Sequence, residues 1–323
     1  GESVMIGTTK RTHLYCLLGS ALLVSGIVLA DIPGVAPGIP EPDQRNVIVQ
    51  MFNWSFNDIK GQIPTLKALG YSHIHVSPPQ KSNEKVWQWW GRYQPVDFSV
   101  ISGPLSSEAE FRQMNEVADA NGMQIIVDTV LNHTVDVTEQ PDPPFIKLDG
   151  EGVSEERLPQ FEPKHFHKRC NVAGPDTEQR CWLSFNLADL NTQDPQVRQV
   201  AKDYLKKLAN LGVDGYRFDA AIHIEPEFYT EVLAAVPGKL AFGEIIKDRP
   251  SYFSAWIAIP AMDFYDFPLT KTMREAFAFG GDLRDLKNPK GADRALDGPK
   301  AITFVRNHDI DRGQAGDRGL DAG

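Results

Sequence analysis

Short apolar runs along this chain alternate with longer segments of helical periodicity. Runs rich in β-branched and aromatic residues predict seven strands, at 46–54, 71–76, 123–131, 213–219, 239–246, 261–266 and 300–306. Apolar residues spaced three and four apart predict helices at 58–70, 107–121, 196–211, 226–235 and 270–278. No glycine-rich phosphate loop follows the first strand, so the alternation favours a parallel barrel over a doubly wound sheet. We predict an α/β fold, a (β/α)8 barrel with seven strands visible.

A long irregular segment interrupts this alternation after the third predicted strand. Residues 134–186 are rich in Pro, Glu, Asp and Lys, and so long a loop usually has a function or a small fold of its own. We therefore expect a catalytic barrel at 46–133 and 187–323, with an inserted subdomain at 134–186. Only fourteen residues follow Asp309, so we expect a barrel truncated before strand 8.

The N-terminal region has the pattern of a secretory signal. Lys10 and Arg11 precede an apolar run at 14–29, and small residues lead to a cleavage position after Ala30. This pattern predicts a signal peptide at 1–30, a proline-rich linker at 31–45, and a secreted protein with no membrane attachment after cleavage. A retained anchor, with the rest of the chain on the extracellular face, is the alternative.

Charge and cysteine content narrow the classes of partner. The net charge of −10 and the pI near 5.3 argue against nucleic acid and are compatible with a neutral polysaccharide. Cys16 lies in the N-terminal apolar run, whereas Cys170 and Cys181 flank a polar loop. This pair forms a disulfide if the chain is exported, and two free buried thiols are the alternative. We expect a monomer.

Charged and histidine side chains recur at the carboxyl ends of four predicted strands. Parallel barrels keep their active sites at this end. Taken alone, Arg217 and Asp219 fit a structural ion pair equally well, since they point the same way in their strand. Repetition on four strands favours a site instead, formed by Asp128, Asn132, His133, Arg217, Asp219, Glu244, Asn307, His308 and Asp309.

Four segments resemble, in order, the signature regions of the α-amylase family of glycoside hydrolases: 128–133, 215–223, 243–244 and 304–309. The resemblance extends over roughly residues 46–309. It implies a TIM barrel with an insertion after strand 3, and internal hydrolysis of α-1,4-glucosidic bonds in starch or glycogen with retention of configuration. The alternatives are a non-catalytic amylase-like ectodomain on a membrane anchor and an inactive truncated fragment.

The resemblance also assigns roles to individual acids. Retaining hydrolysis needs one carboxylate that attacks the sugar and one carboxylic acid that protonates the leaving oxygen. By resemblance Asp219 is the nucleophile, Glu244 is the acid, and Asp309 holds sugar hydroxyls. We further expect Arg217 to keep Asp219 ionised, apolar neighbours to help Glu244 hold its proton, and Asp128 to be a structural partner of Arg217.

Further family positions concern sugar binding. His133 and His308 match histidines that hydrogen-bond sugar hydroxyls beside the cleaved bond. Trp90, Tyr93 and Gln94 lie in a tryptophan-rich loop and match the sugar-binding positions of animal-type members. Flat aromatic rings stack on the apolar faces of sugars. Packing beneath a long loop is the alternative for this tryptophan-rich run.

Two ions are implied by the same resemblance. Asn132, Asp189 and the main-chain oxygen of His223 match ligands of a Ca2+ ion that joins the insertion to the barrel. For Asp189 the alternative is an ordinary turn acid. Arg217 and Asn307 match two of the three chloride ligands of the chloride-dependent branch, the third of which would lie beyond residue 323. Chloride is therefore an optional ligand in this prediction.

Overall fold

The computed structural model describes residues 46–311. The predicted signal peptide at 1–30 and the linker at 31–45 lie outside these residues, as does the end of the chain after residue 311. Within the described range, no helix combines the length and the apolar character that a membrane crossing requires.

The secondary structure follows the predicted alternation. In chain order the strands are β1 (Ile48–Met51), β2 (His73–Val76), β3 (Gln80–Ser82), β4 (Pro95–Ile101), β5 (Gln124–Thr129), β6 (His133–Asp136), β7 (Ile146–Asp149), β8 (Gly152–Glu156), β9 (Leu187–Asp189), β10 (Gly215–Phe218), β11 (Leu240–Gly243), β12 (Asp263–Tyr265) and β13 (Ala301–Ile302). The helices are α1 (Phe56–Ala68), α2 (Glu108–Ala120), α3 (Pro195–Asn210), α4 (Pro226–Leu233), α5 (Ser254–Ile257), α6 (Phe267–Phe277) and α7 (His308–Asp311).

One parallel sheet of seven strands organises the molecule. Its order is β1-β2-β5-β10-β11-β12-β13, and all seven are strands that the apolar runs predict. Within residues 46–311 the two edges are β1 and β13, so the described sheet is an incomplete (β/α)8 TIM barrel. The predicted fold class is confirmed. Because every strand is parallel, all carboxyl ends meet at one side of the sheet, where the candidate residues lie.

The register of the central strands places charged residues side by side. Arg217 on β10 lies opposite Asp128 on β5 and Phe242 on β11. The next position of β10, Phe218, lies opposite Gly243. Asp219 and Glu244 therefore leave their strands as neighbours.

Helices cover the sheet with faces that the sequence periodicity anticipates. In α3 the buried positions are Val197, Val200, Ala201, Tyr204, Leu205 and Leu208, which form one stripe of a 3.6-residue period. Asp194 caps this helix by accepting from the main-chain N–H of Gln196, and Pro195 follows at the first helical position. Ser107 and Glu110 form a reciprocal capping box at the start of α2.

The insertion has more local structure than its composition predicts. Strands β7 and β8 form an antiparallel hairpin within it, and Cys170 and Cys181 form a disulfide. At its base β6 pairs with β9, with His133 opposite Asp189. The insertion therefore leaves the barrel and returns to it at one place.

The last predicted strand is shorter than expected. β13 covers only Ala301–Ile302, whereas the apolar run predicted a strand to residue 306. The carbonyl of Phe304 accepts a hydrogen bond from the Thr270 hydroxyl instead of joining the sheet, and its ring packs on Tyr265 and Phe267. The chain then turns into α7, which carries the last candidate residues.

Candidate active site

A buried arginine joins three carboxyl groups at the carboxyl ends of the central strands. Arg217 donates from Nη1 to Asp128 Oδ1 at 2.6 Å and to Asp219 Oδ1 at 2.9 Å. Its Nη2 donates to Glu244 Oε1. We call these four residues the arginine cluster. Since one planar guanidinium reaches both Asp219 and Glu244, the two carboxyls converge on a single point.

The electrostatics of the cluster differ from the sequence expectation. Burial opposes ionisation of Asp128, but the charge of Arg217 together with His75 and His308 outweighs it and lowers the pKa of Asp128. Burial instead raises the pKa of Asp219 to about 8; Arg217 opposes this rise, and the nearby charges of Glu244 and Asp128 add to it. This shift runs against the expectation that Arg217 keeps Asp219 ionised. One cation is shared by three carboxyls, and the sequence shows only its nearest neighbour in the chain.

The local backbone geometry positions the Glu244 carboxyl beside Asp219 and Arg217. Ala220, directly after Asp219, adopts a left-handed conformation with φ of 47°, which is uncommon for a residue with a side chain. The turn directs the Ala220 N–H to Glu244 Oε2 at 3.1 Å. A Cβ at Gly243 would lie 2.6 Å from Met262 Cε and 3.0 Å from Ala221 Cβ, so glycine allows close packing immediately before Glu244.

Asp309 reaches the same site from the start of α7. Asn307 Nδ2 donates to Asp309 Oδ2 at 2.8 Å, and His308 Nε2 lies 3.3 Å from Asp309 Oδ1. Burial is the main cause that raises the pKa of Asp309 to about 9, with further contributions from the charge of Glu244 and a hydrogen bond between the two carboxyls. The three predicted acids are thus in mutual contact or share Arg217.

Aromatic rings form one wall of the site. His308 stacks on Phe52 with centroids 4.4 Å apart and on Tyr93 at 5.9 Å, while Trp89 meets these rings edge-on. The Tyr93 main-chain oxygen accepts from His133 Nε2 at 3.0 Å. Burial lowers the pKa of His133 to about 4, so this ring is neutral at pH 7. Phe52 and Trp89 are members that the sequence reasoning missed.

A second layer of polar groups beneath this wall was also missed. His75, buried in the middle of β2, places Nε2 3.6 Å from Asp128 Oδ2, and its Nδ1 lies 3.4 Å from both Gln50 Nε2 and the Tyr265 hydroxyl. Gln50 also contacts His308 Nδ1 at 2.9 Å. The signal was available, because a histidine inside an apolar strand at a fully buried position needs polar partners.

The tryptophan-rich loop divides into exposed and structural members. Trp90 is 38% exposed, and its Nε1 donates to Glu139 Oε1 at 3.3 Å. Gln94 is buried, donates to Glu139 Oε2 at 2.6 Å and accepts from Asn83 at 2.9 Å. Trp90 therefore presents a ring to solvent at the site, whereas Gln94 secures the loop that carries it.

The predicted calcium ligands partly come together. Asn132 and Asp189 are buried, they hydrogen-bond each other, and each has an Oδ1 atom with no hydrogen-bond partner among the described residues. His167 Nδ1 lies 2.7 Å from Asp189 Oδ2. We call Asn132, His167 and Asp189 the insertion base. Burial raises the pKa of Asp189 to about 6, with His167 opposing the rise. The side chain of His223 contacts the insertion, because its Nδ1 lies 2.8 Å from the main-chain oxygen of Glu178.

This donor set suits a hard cation. Calcium takes oxygen ligands from carboxylates, amides and main-chain carbonyls, and the orphaned oxygens of Asn132 and Asp189 are of these types. Residues 46–311 contain no group of three or more His, Cys, Asp and Glu side chains that could hold a metal. A cation here would therefore depend on amide and carbonyl oxygens as well as on Asp189.

The two predicted chloride ligands lie in different surroundings. Arg217 Nε is buried and has no hydrogen-bond partner among the described residues, so it is a donor that an anion can use. The Asn307 amide is already engaged, because it donates to Asp309 and its oxygen accepts from the Ile310 N–H at 3.1 Å.

Comparison with known proteins gives a consistent result. The family described as "Alpha amylase, catalytic domain" matches residues 55–232. An alpha-amylase from Aeromonas hydrophila is 27% identical over 306 residues, covering 82% of this chain and 63% of that protein. The wild-type alpha-amylase I structure from Eisenia fetida aligns with a TM-score of 0.73 and 25% identity, covering 85% of this chain and 60% of that one. A mutant of that enzyme in complex with maltohexaose aligns with a TM-score of 0.69 and 25% identity, covering 83% and 59%. The chain thus spans less than two thirds of these proteins.

Proposed function

The chain belongs to the α-amylase family, and from this premise we propose that it is a retaining hydrolase of internal α-1,4-glucosidic bonds in starch or glycogen. The observation that carries the proposal is the convergence of Asp219, Glu244 and Asp309 around Arg217 at the carboxyl ends of the strands. Two carboxyl groups on either side of a glycosidic bond are the requirement for this reaction.

In the proposed mechanism the acids have separate tasks. Asp219 loses its proton to solvent when substrate binds and attacks the anomeric carbon as a carboxylate, while Glu244 gives its own proton to the leaving oxygen; this produces a glycosyl ester on Asp219. Glu244 then takes a proton from water, which hydrolyses the ester and restores both groups. Asp309 accepts hydrogen bonds from sugar hydroxyls. The positive charge that develops on the sugar ring favours the ionised form of Asp219 in the transition state.

The surrounding groups are proposed to bind the glucan. Trp90 offers an exposed ring for stacking, and His133, Tyr93 and His308 lie on the wall nearest the acids. The structure of the Eisenia fetida relative in complex with maltohexaose supports a malto-oligosaccharide as the ligand. Gln94 is proposed to act by holding the loop. A neutral polysaccharide also suits a protein with net charge −10.

We propose a calcium ion at the insertion base, held by Asn132, Asp189 and the main-chain oxygen of His223. When bound, it would join the inserted subdomain at 134–186 to the barrel. The unpartnered Oδ1 atoms of Asn132 and Asp189 support this proposal. We also propose chloride as an optional ligand, with Arg217 Nε as one of its donors.

We further propose that the protein is secreted and acts as a monomer. The Cys170–Cys181 disulfide supports export, because such bonds persist in oxidising compartments.

The test is hydrolysis of soluble starch by the full chain. We expect release of reducing ends, with products that first appear as the α-anomer in NMR spectra. The D219N and E244Q variants should each lower kcat by at least about 10³-fold. The control is E116Q, which changes an exposed carboxyl on α2 and should retain full activity. A folded wild-type chain that releases no reducing ends would contradict the proposal, and β-anomeric products would contradict retention.

A further inference from the structure

An ion pair connects the insertion to the loop that follows β11. Lys247 lies three residues after Glu244, and its Nζ lies 2.5 Å from Glu178 Oε1. Glu178 belongs to the loop closed by the Cys170–Cys181 disulfide. The side chains of Lys247 and Glu178 are 30% and 12% exposed, so solvent or a ligand reaches both. We call this pair the clasp.

The clasp lies on the Glu244 side of the active site. His223 Nδ1 contacts the Glu178 main-chain oxygen at 2.8 Å, which places His223 beside the clasp. The charges of Lys247 and Glu244 both act on the His223 ring, although burial is the main cause that lowers its pKa. The clasp and Glu244 therefore both lie within electrostatic reach of one histidine.

The loop that presents Glu178 is ordered by its own contacts. The Thr177 hydroxyl accepts from the N–H groups of Ala173 and Gly174 at 2.8 and 3.1 Å, and the Cys181 N–H donates to the Thr177 main-chain oxygen at 3.1 Å. Together with the disulfide, these bonds fix the residue directly before Glu178. A carboxylate held in this way loses little conformational entropy when a ligand binds.

We propose that the clasp binds the leaving-group part of the glucan, with Lys247 and Glu178 hydrogen-bonding to sugar hydroxyls. This rests on the proposed function, because the acid that protonates the leaving oxygen must face the leaving chain. The ammonium group has three donors and gives one to Glu178, while the carboxylate retains free acceptor positions. Neighbouring sugar hydroxyls both donate and accept, so they suit an adjacent ammonium and carboxylate.

If the clasp were a purely structural ion pair, its removal would have a different effect on activity. Partly exposed pairs contribute little to stability, so the loss of one should hardly affect folding and should affect all substrates alike. A binding role instead makes the effect depend on whether the leaving group is a sugar. The discriminating pair of substrates is maltoheptaose and an aryl maltotrioside, whose leaving group is a phenol with no sugar hydroxyls.

The experiment compares K247M and E178Q with K147M, which removes an equally short ion pair in the β7–β8 hairpin. For maltoheptaose we expect kcat/KM to fall about tenfold in K247M and E178Q, mainly through KM, because hydrogen bonds to charged groups are lost. For the aryl maltotrioside the same variants should stay within about twofold of wild type. K147M should match wild type on both substrates, and thermal melts would confirm folding.

Equal losses on the two substrates, or no loss on either, would overturn the clasp proposal. A second measurement tests the clasp independently of the proposed reaction. Calorimetry would measure the affinity of maltoheptaose for E244Q and for E244Q/K247M. A roughly tenfold weaker affinity for maltoheptaose in E244Q/K247M than in E244Q would support the clasp. This support would hold even if the wild type hydrolysed nothing, because a lack of hydrolysis would count only against the proposed function. Unchanged affinity rejects the clasp whatever the activity.

Discussion

The arginine cluster and the insertion base solve the same physical problem in different ways. Both bury carboxyl groups, and in both burial raises a carboxyl pKa, that of Asp219 to about 8 and that of Asp189 to about 6. The arginine cluster contains its own permanent cation. In the insertion base, His167 is the only basic side chain that contacts Asp189 among residues 46–311, and the Oδ1 atoms of Asn132 and Asp189 have no hydrogen-bond partner there. The difference supports our proposal that the insertion base binds a cation, whereas the arginine cluster contains one of its own.

The largest expected loss of stability comes from replacing Arg217, the permanent cation of the arginine cluster. The R217M variant should lower the free energy of unfolding by about 3–5 kcal/mol, because Asp128, Asp219 and Glu244 would lose a buried charge partner. Urea denaturation measures the change. The control is R112M, which removes an exposed pair on α2 and should cost less than about 0.5 kcal/mol. A loss below about 1 kcal/mol for R217M would show that the arginine does not hold the cluster together.

The second expected effect on stability comes from removing the calcium ion that we propose at the insertion base. Chelation of calcium should lower the free energy of unfolding by about 3 kcal/mol if the ion had been present at a hundredfold its Kd. The D189N variant should lose most of this dependence, because it removes the carboxylate of the insertion base. The control variant D203N, which changes an exposed acid on α3, should keep the calcium dependence of the wild type. Thermal melts with and without chelator give the comparison, and equal chelator shifts in D189N and D203N would place any calcium elsewhere.

The third effect is the pH dependence of the free energy of unfolding due to Asp219. Its folded pKa of about 8 lies above the unfolded value near 3.9, so the unfolded chain loses this proton first as the pH rises. The carboxyl therefore contributes less stability at pH 8 than at pH 4. The D219N variant cannot ionise at this position, so its stability relative to wild type should rise between pH 4 and pH 8.

Urea denaturation near pH 5 and near pH 8 measures this difference. The D119N variant, which changes an exposed acid on α2, should track wild type at both values. An advantage of D219N that shrinks as the pH rises would mean that Asp219 is ionised in the folded chain, as the sequence first suggested.

Sequence periodicity accounts for most of the fold. All seven strands of the main sheet were predicted, because parallel strands buried on both faces form continuous apolar runs. The end of β13 was not predicted, since it depends on Thr270 capturing the Phe304 carbonyl. The pairing of β3 with β4 was also missed, because β3 consists of Gln80, Lys81 and Ser82 and the pairing shifts register twice.

The site could be predicted as a set of residues but not as an electrostatic system. Period-two alternation placed Arg217 and Asp219 on one side of β10, and the structure brings both together with Glu244. The protonation of Asp219 depends on how many carboxyls share Arg217, which only the register of β5, β10 and β11 reveals. His75 was overlooked because its partners come from distant parts of the chain.

The pairing of β6 with β9 has a consequence for how this protein can change. Because His133 and Asp189 face each other across that ladder, the two ends of the insertion are anchored as neighbours, regardless of what lies between them. Residues can be gained or lost within the intervening segment without altering the distance that the barrel must bridge. Evolution or an engineer can therefore exchange the outer part of the insertion, and with it one side of the cleft, while the strands that hold the acids keep their spacing.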